Sequence, residues 1–200
     1  MEPFVVLEGV AAPLDQSKVD TDQILPARFL RRPRREGYGQ FLFRDRMDDP
    51  AFVLNQAPYR QAKILVADRA FGGGSSREQA PWALSDYGIR CVVAVDFGDI
   101  FYLNSLKSGV LPVALEADIC AGLRKQLHAR PGATMKVDLP SQTVTGPDGS
   151  RYPFAIDAFR KKCLLEGLDE VGITLQHDAA IAAFENRYRK RYDWLFDGNL

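Results

Sequence analysis

Two apolar runs of strand length, Lys63–Ala67 (KILVA) and Cys91–Val95 (CVVAV), flank a glycine-rich turn at Phe71–Ser76 and a helical stretch ending near Tyr87-Gly88. Neither run alternates apolar with polar residues, so each reads as a strand buried on both faces. Two such strands with a helix between them form a parallel pair, which requires cover on both sides of the sheet. The chain is therefore expected in the α/β class. Asp99–Ser108 reads as a helix stopped at Gly109, Val110–Leu115 as a strand, and Glu116–His128 as an amphipathic helix with Ile119, Leu123 and Leu127 on one face. Met135–Leu139, Thr143–Thr145 and Arg151–Ile156 read as antiparallel strands, the last two joined by the tight turn Gly146-Pro147-Asp148-Gly149. Phe4–Leu7 reads as a short strand, Val19–Ile24 as an Asp-rich turn leading into a second extended piece, and Phe52–Gln56 stays ambiguous. Asp157–Gly167 reads as a short helix. A longer helix over Asp178–Tyr192 carries Ile181, Phe184 and Tyr188 on one face and Arg187, Arg189, Lys190 and Arg191 mostly off it. The expectation is one compact domain over residues 1–200 with mixed parallel and antiparallel strands, and a helical C-terminal segment over about 157–195.

Two hundred residues suffice for one hydrophobic core without a disulfide or metal staple. Lys plus Arg and Asp plus Glu balance at 26 each, which leaves no global field to draw nucleic acid or an anionic membrane. No apolar run approaches the ~20 residues of a membrane span. The opening Met1-Glu2-Pro3-Phe4 has no basic head and Glu8 interrupts the apolar stretch, which predicts no signal peptide. Cys91, Cys120 and Cys163 are odd in number and widely spaced, the usage of a reducing compartment, most simply the cytoplasm. Each reads as a small buried hydrophobe. Three cysteines with only His128 and His177 cannot make a standard iron–sulfur cluster or a His-rich zinc site, so no metal is expected on this chain.

Phe71-Gly72-Gly73-Gly74-Ser75-Ser76-Arg77-Glu78 lies after a strand and before a helix, where ligands of α/β proteins bind. Its glycines let a ligand approach the backbone, the helix N-terminus favours negative charge, and Arg77 offers a bidentate donor to a carboxylate. Ser75-x-x-Glu78 and Ser76-x-x-Gln79 also have the pattern of a capping box, a purely structural alternative. Pro81 either kinks the helix or marks where it restarts. No Lys-Ser/Thr pair follows at Walker A spacing.

FGGGSSREQAPWAL, residues 71–84, resembles the signature of the small subunits of 3-isopropylmalate dehydratase and, more broadly, of the aconitase-family swivelling domain. Val19–Pro26 (VDTDQILP), Asp99–Ser105 closing with Gly109–Val113, Ile156–Arg160 and Gly172–Asp178 resemble further family motifs in the same order, so the resemblance spans nearly the whole chain. It implies a β/β/α-type swivelling domain that closes over a [4Fe–4S] cluster held by a separate large subunit, with no cofactor on this chain. The implied reaction dehydrates and rehydrates a malate-type dicarboxylate: 2-isopropylmalate loses water to 2-isopropylmaleate, which is rehydrated with the hydroxyl on the neighbouring carbon. The resemblance assigns Ser75 as the catalytic base and Ser76 and Arg77 as carboxylate contacts beside Gly74. It places Asp22 at the site edge, orienting a cation, and the segment Arg28, Phe29, Leu30 and Arg31 near the substrate's side group. Asn104, Ser105 and Lys107 read as supports, and His177-Asp178 as a helix start.

Rival readings remain at this level. Asp20 and Asp22 suit Asx turns or caps. The five arginines of Arg28–Gly39 suit a solvated loop, and nucleic acid is disfavoured because the net charge is zero. Many relatives have Cys at Gly73 and most have His at Gln79. Gln79 and Arg31 leave open a related hydro-lyase for methylmalate/citraconate or homoaconitate. The glycine turn alone leaves open a phosphate- or anion-binding module, and an assembly or RNA-binding subunit with an idle pocket is the third class.

Overall fold

The computed structural model describes residues 1–75 and 77–196. Among these, seven strands form one sheet: β1 (Val6–Pro13), β2 (Ile64–Val66), β3 (Cys91–Ala94), β4 (Leu111–Ala114), β5 (Thr134–Asp138), β6 (Thr143–Thr145) and β7 (Arg151–Pro153). Their order is β4-β3-β2-β1-β5-β6-β7. β1 to β4 run parallel, with Ala11 opposite Ile64, Ile64 opposite Cys91 and Cys91 opposite Leu111. β5 turns antiparallel to β1, and β6 and β7 continue that half. The helices are α1 (Thr21–Ile24), α2 (Gln79–Tyr87), α3 (Asp99–Lys107), α4 (Ala117–Ala129), α5 (Ala158–Glu166), α6 (Glu170–Leu175) and α7 (Asp178–Arg191).

The unbroken apolar strands have the physical cause expected of them. Successive side chains of a strand point to opposite faces, and both faces are covered. Leu65, Val92 and Ala94 enter one core with Ile24, Tyr38, Phe71 and Leu84. Ile64, Val66, Cys91 and Val93 enter the other with Leu111, Leu123, Leu127 and Val137. α4 lies across β1, β2 and β3 on the second face. On the first, α2 is joined by the long segment between β1 and β2, which holds the one-turn helix α1 followed by short 3-10 turns.

Several expectations are corrected. The first strand is Val6–Pro13, not Phe4–Leu7: it continues through Glu8 because that half pairs only with β5 and is partly exposed. Residues after Asp20 do not extend but close one helical turn, capped by the Asp20 carboxylate on the Gln23 N–H at 2.7 Å. The helix after the glycine turn begins at Gln79, with Glu78 at its N-cap and no side-chain cap. Pro81 thus lies in the first turn, where no intrahelical partner awaits its missing N–H, and neither kinks nor restarts the helix. The last strand ends at Pro153, and α6, capped by Asp169 on Gly172, was not anticipated. The apolar face of α7 is not packed: Ile181, Phe184 and Tyr188 are all exposed.

Candidate functional site

Beyond the carboxyl ends of β1, β2 and β3, the three following loops stay side by side. Lys18 N–H donates to the Arg69 carbonyl at 2.9 Å, Gly72 N–H to Val19 at 2.6 Å and Thr21 N–H to Gly73 at 3.0 Å. On the other flank, Phe71 N–H reaches the Asp96 carbonyl at 3.1 Å and Gly98 N–H the Phe71 carbonyl at 2.9 Å. The Asp96 carboxylate also takes the Ala70 N–H at 2.7 Å, holding Ala70 at a φ of +57°. The glycine turn is therefore a middle ribbon clamped between its neighbours at the strand ends where α/β ligands bind.

Glycine is required by this packing. At Gly72 φ is +73° and a Cβ would lie 2.1 Å from the Phe101 ring, while at Gly98 it would lie 2.5 Å from the Gly72 carbonyl oxygen. At Gly74 φ is +83°. Gly73, where many relatives carry Cys, is different: φ is ordinary and a Cβ meets nothing nearer than the Ala70 carbonyl at 3.8 Å. Its lack of a side chain is not forced by the fold.

Ser75 is exposed on this ribbon, and its carbonyl accepts a hydrogen bond from the buried Thr21 hydroxyl. Since the helix starts four residues later, Ser75 is not its cap, and the capping-box reading at Ser75-x-x-Glu78 does not hold. Ser76 lies outside the described residues. Arg77 keeps its side chain 13% exposed and forms a two-pronged pair with Asp22, one arm from Nη2 to Oδ2 at 2.8 Å and the other from Nη1 to Oδ1. The two aspartates of the Asp-Thr-Asp motif thus divide the labour that spacing left ambiguous. Asp20 caps a turn, and Asp22 fixes a guanidinium 55 residues away. Asp22, Gly74, Ser75 and Arg77 are brought together.

The segment Arg28–Arg31 follows α1, and no hydrogen bond or ion pair among the described residues joins it to the glycine turn. Arg28 is paired with Asp45, its Nη1 at 3.1 Å from Oδ2, and lies over the Phe29 ring. This contact moves the Arg28 pKa upward and holds the Asp45 carboxyl below its ordinary range. Phe29 stacks on Phe41 with centroids 4.3 Å apart; Phe29 and Leu30 are half-buried, and Arg31 is exposed. Of the other arginines in the run, Arg34 grips Asp86 at 2.6 and 2.9 Å, a structural contact. Ser105 donates to Phe101 within its own helix and Lys107 pairs with Glu170, both supporting contacts. Thr21 and Gly98 were missed as parts of this site. Their only sequence signals are a Thr between two Asp and a Gly before a helix, neither distinctive.

The three cysteines do not fit an iron–sulfur cluster. All are free and buried, on β3, α4 and α5. They lie on three separate elements, and burial pushes the Cys91 thiol far up and the Cys120 thiol to about 11. Among the described residues no group of three His, Cys, Asp or Glu is placed to hold a metal ion, and no helix is long and apolar enough to cross a membrane.

Comparison with known proteins bears on the whole chain. The aconitase C-terminal domain model matches residues 1–118, and a model described as LeuD_N matches 121–158. A third, for the C-terminal domain of 3-isopropylmalate dehydratase small subunits, matches 170–198. A 3-isopropylmalate dehydratase small subunit from Xanthobacter autotrophicus is 50% identical over 201 residues, covering 98% of this chain and 100% of that one. One from Granulibacter bethesdensis is 50% identical, covering 97% and 96%. The crystal structure of 3-isopropylmalate dehydratase from Methanocaldococcus jannaschii matches with a TM-score of 0.68 at 23% identity, covering 89% of this chain and 98% of that one, a likeness of fold.

Proposed function

The chain belongs to the 3-isopropylmalate dehydratase small-subunit family, and from that premise we propose that it is the small subunit of such an enzyme. It serves leucine biosynthesis, isomerising 2-isopropylmalate to 3-isopropylmalate through 2-isopropylmaleate by loss and re-addition of water. It is a hydro-lyase subunit, active only with a large subunit that carries the [4Fe–4S] cluster. The buried thiols support placing the cluster on the partner rather than here, and they suit a cytoplasmic protein.

The residues of this chain bind and move a proton. Ser75 Oγ takes the carbon-bound proton beside a substrate carboxylate and returns a proton at the neighbouring carbon when water re-adds. A serine hydroxyl is too weak an acid to do this without a positive environment for its anion. Arg77 supplies that charge two residues away. Asp22 occupies two of its N–H donors and fixes the plane in which the remaining ones meet a carboxylate. Gly74 allows close approach of the substrate to the backbone, and Ser76 completes the carboxylate contacts. Phe29, Leu30 and Arg31 select the side group, on a segment that Arg28 anchors through Asp45. The departing hydroxyl is handled by the partner.

The observation that carries this reading is the exposed Ser75 in the glycine turn beyond the parallel strands, tied to Thr21 next to the Asp22 that locks the Arg77 guanidinium. The phosphate-module alternative loses support because α2 begins only at Gln79, with the Glu78 carboxylate at its N-cap, where a bound phosphate would meet repulsion. The test is anaerobic mixing with the enzyme's large subunit, followed through the absorbance of 2-isopropylmaleate. The expected result is no turnover by the chain alone, turnover with the partner, and a higher kcat/KM for isopropylmalate than for methylmalate or homoaconitate. No turnover with any aconitase-type large subunit contradicts the reading, and preference for another side group moves it to a related hydro-lyase.

A further inference from the structure

Thr21 is one of two buried polar residues among those described, 1% exposed, and the other, Ser105, is satisfied within its own helix. Thr21 instead spends both of its polar hydrogens on the glycine turn. Its N–H donates to the Gly73 carbonyl at 3.0 Å and its Oγ1 to the Ser75 carbonyl. The two acceptors straddle Gly74, a left-handed glycine at a φ of +83°. Thr21 is itself held: it is the first residue of α1, its carbonyl accepts from the Leu25 N–H at 2.9 Å, and the Asp20 carboxylate caps the same turn. A β-branched side chain has few χ1 options, so the hydroxyl has a fixed direction.

We propose that Thr21 is a positioning residue for Ser75, a clip that sets the orientation of the Ser75 peptide through its carbonyl oxygen. The inference rests on the assignment of Ser75 as the base. The clip does two things. It freezes the backbone on both sides of Gly74, so that the Ser75 side chain leaves the ribbon in one direction. It also commits the negative end of the Ser75 carbonyl dipole to a buried donor instead of leaving it free beside an oxygen that must become anionic. Valine at this position keeps the shape and removes the donor; serine keeps the donor and removes a methyl group.

In the anaerobically reconstituted two-subunit enzyme, T21V is expected to lower kcat by about 10- to 100-fold with KM changed less than about threefold. The ascending limb of its pH–rate profile moves to higher pH, because the Ser75 anion loses support. T21S is expected to restore kcat to within about threefold of the parent. Parent kcat and an unmoved pH profile in T21V overturn the inference, and so does a folded T21S as impaired as T21V. If T21V does not fold, Thr21→Cys carries the test: a native circular dichroism spectrum with reduced kcat supports the clip, and parent kcat overturns it. S75A separates the two levels. An S75A enzyme with undiminished turnover removes the assignment of the base itself, whereas an inactive S75A beside an unimpaired T21V removes only the role of Thr21.

Discussion

A Cβ on Gly72 would meet the Phe101 ring at 2.1 Å on a left-handed backbone, whereas a Cβ on Gly73 would find open space out to 3.8 Å. Neighbouring glycines in one motif therefore have opposite tolerances. G72A is expected to cost about 2 kcal/mol or more, from overpacking and from strain at positive φ, and G73A to stay within about 0.5 kcal/mol. Urea melts of the two variants check this, and equal effects contradict the geometry described. Sequence inspection could name the glycine turn but not rank its members, because the ranking depends on Phe101 and Ala70, one of them 29 positions away. The same holds for Asp20 and Asp22. Their roles are set by partners 3 and 55 residues away, and only the first is a local relation that spacing can reveal.

At the level of elements, β2 and β3 were readable because burial on both faces leaves a continuous apolar run, and α4 because its stripe of Leu123 and Leu127 faces a core. β1 was misplaced because its two halves have different environments, partly exposed beside β5 and fully buried beside β2. The sequence leaves the start of α2 open for a related reason. Ser75-x-x-Glu78 has the local form of a cap, but the neighbouring ribbon from Thr21 takes hold of this turn first. α7 poses the opposite case, a pattern with an apolar face that the fold does not use. Its residues are exposed along its length, and Phe184, Tyr188, Tyr192 and Phe196 contact mainly one another. A chain ended at Gln176 is therefore expected to melt within about 3 °C of the full chain, measured by circular dichroism. A fall of about 10 °C would show that the segment contributes to the core.

Across the whole molecule, the charge balance and the scarcity of metal ligands were legible from counting, while the positions of the thiols were not. Burial raises the Cys120 pKa to about 11, so at pH 8 only about one molecule in a thousand carries that thiolate. Cys91, pushed up further by complete burial, is less reactive still. Ellman's reagent at pH 8 is expected to leave both untouched in the native chain and to find three thiols in denaturant; rapid native labelling of both would reopen the question of cluster ligation on this chain. What the molecule does present is an exposed serine in the glycine turn beyond the parallel strands, its carbonyl held by Thr21, and two residues on an arginine locked by Asp22. The most direct test is S75A in the reconstituted enzyme, read by turnover and by melting temperature together. The expected result is a fall in kcat of about 10²- to 10⁴-fold with the melting temperature unchanged, since Ser75 is exposed and caps no helix. Parent turnover in S75A would contradict the assignment.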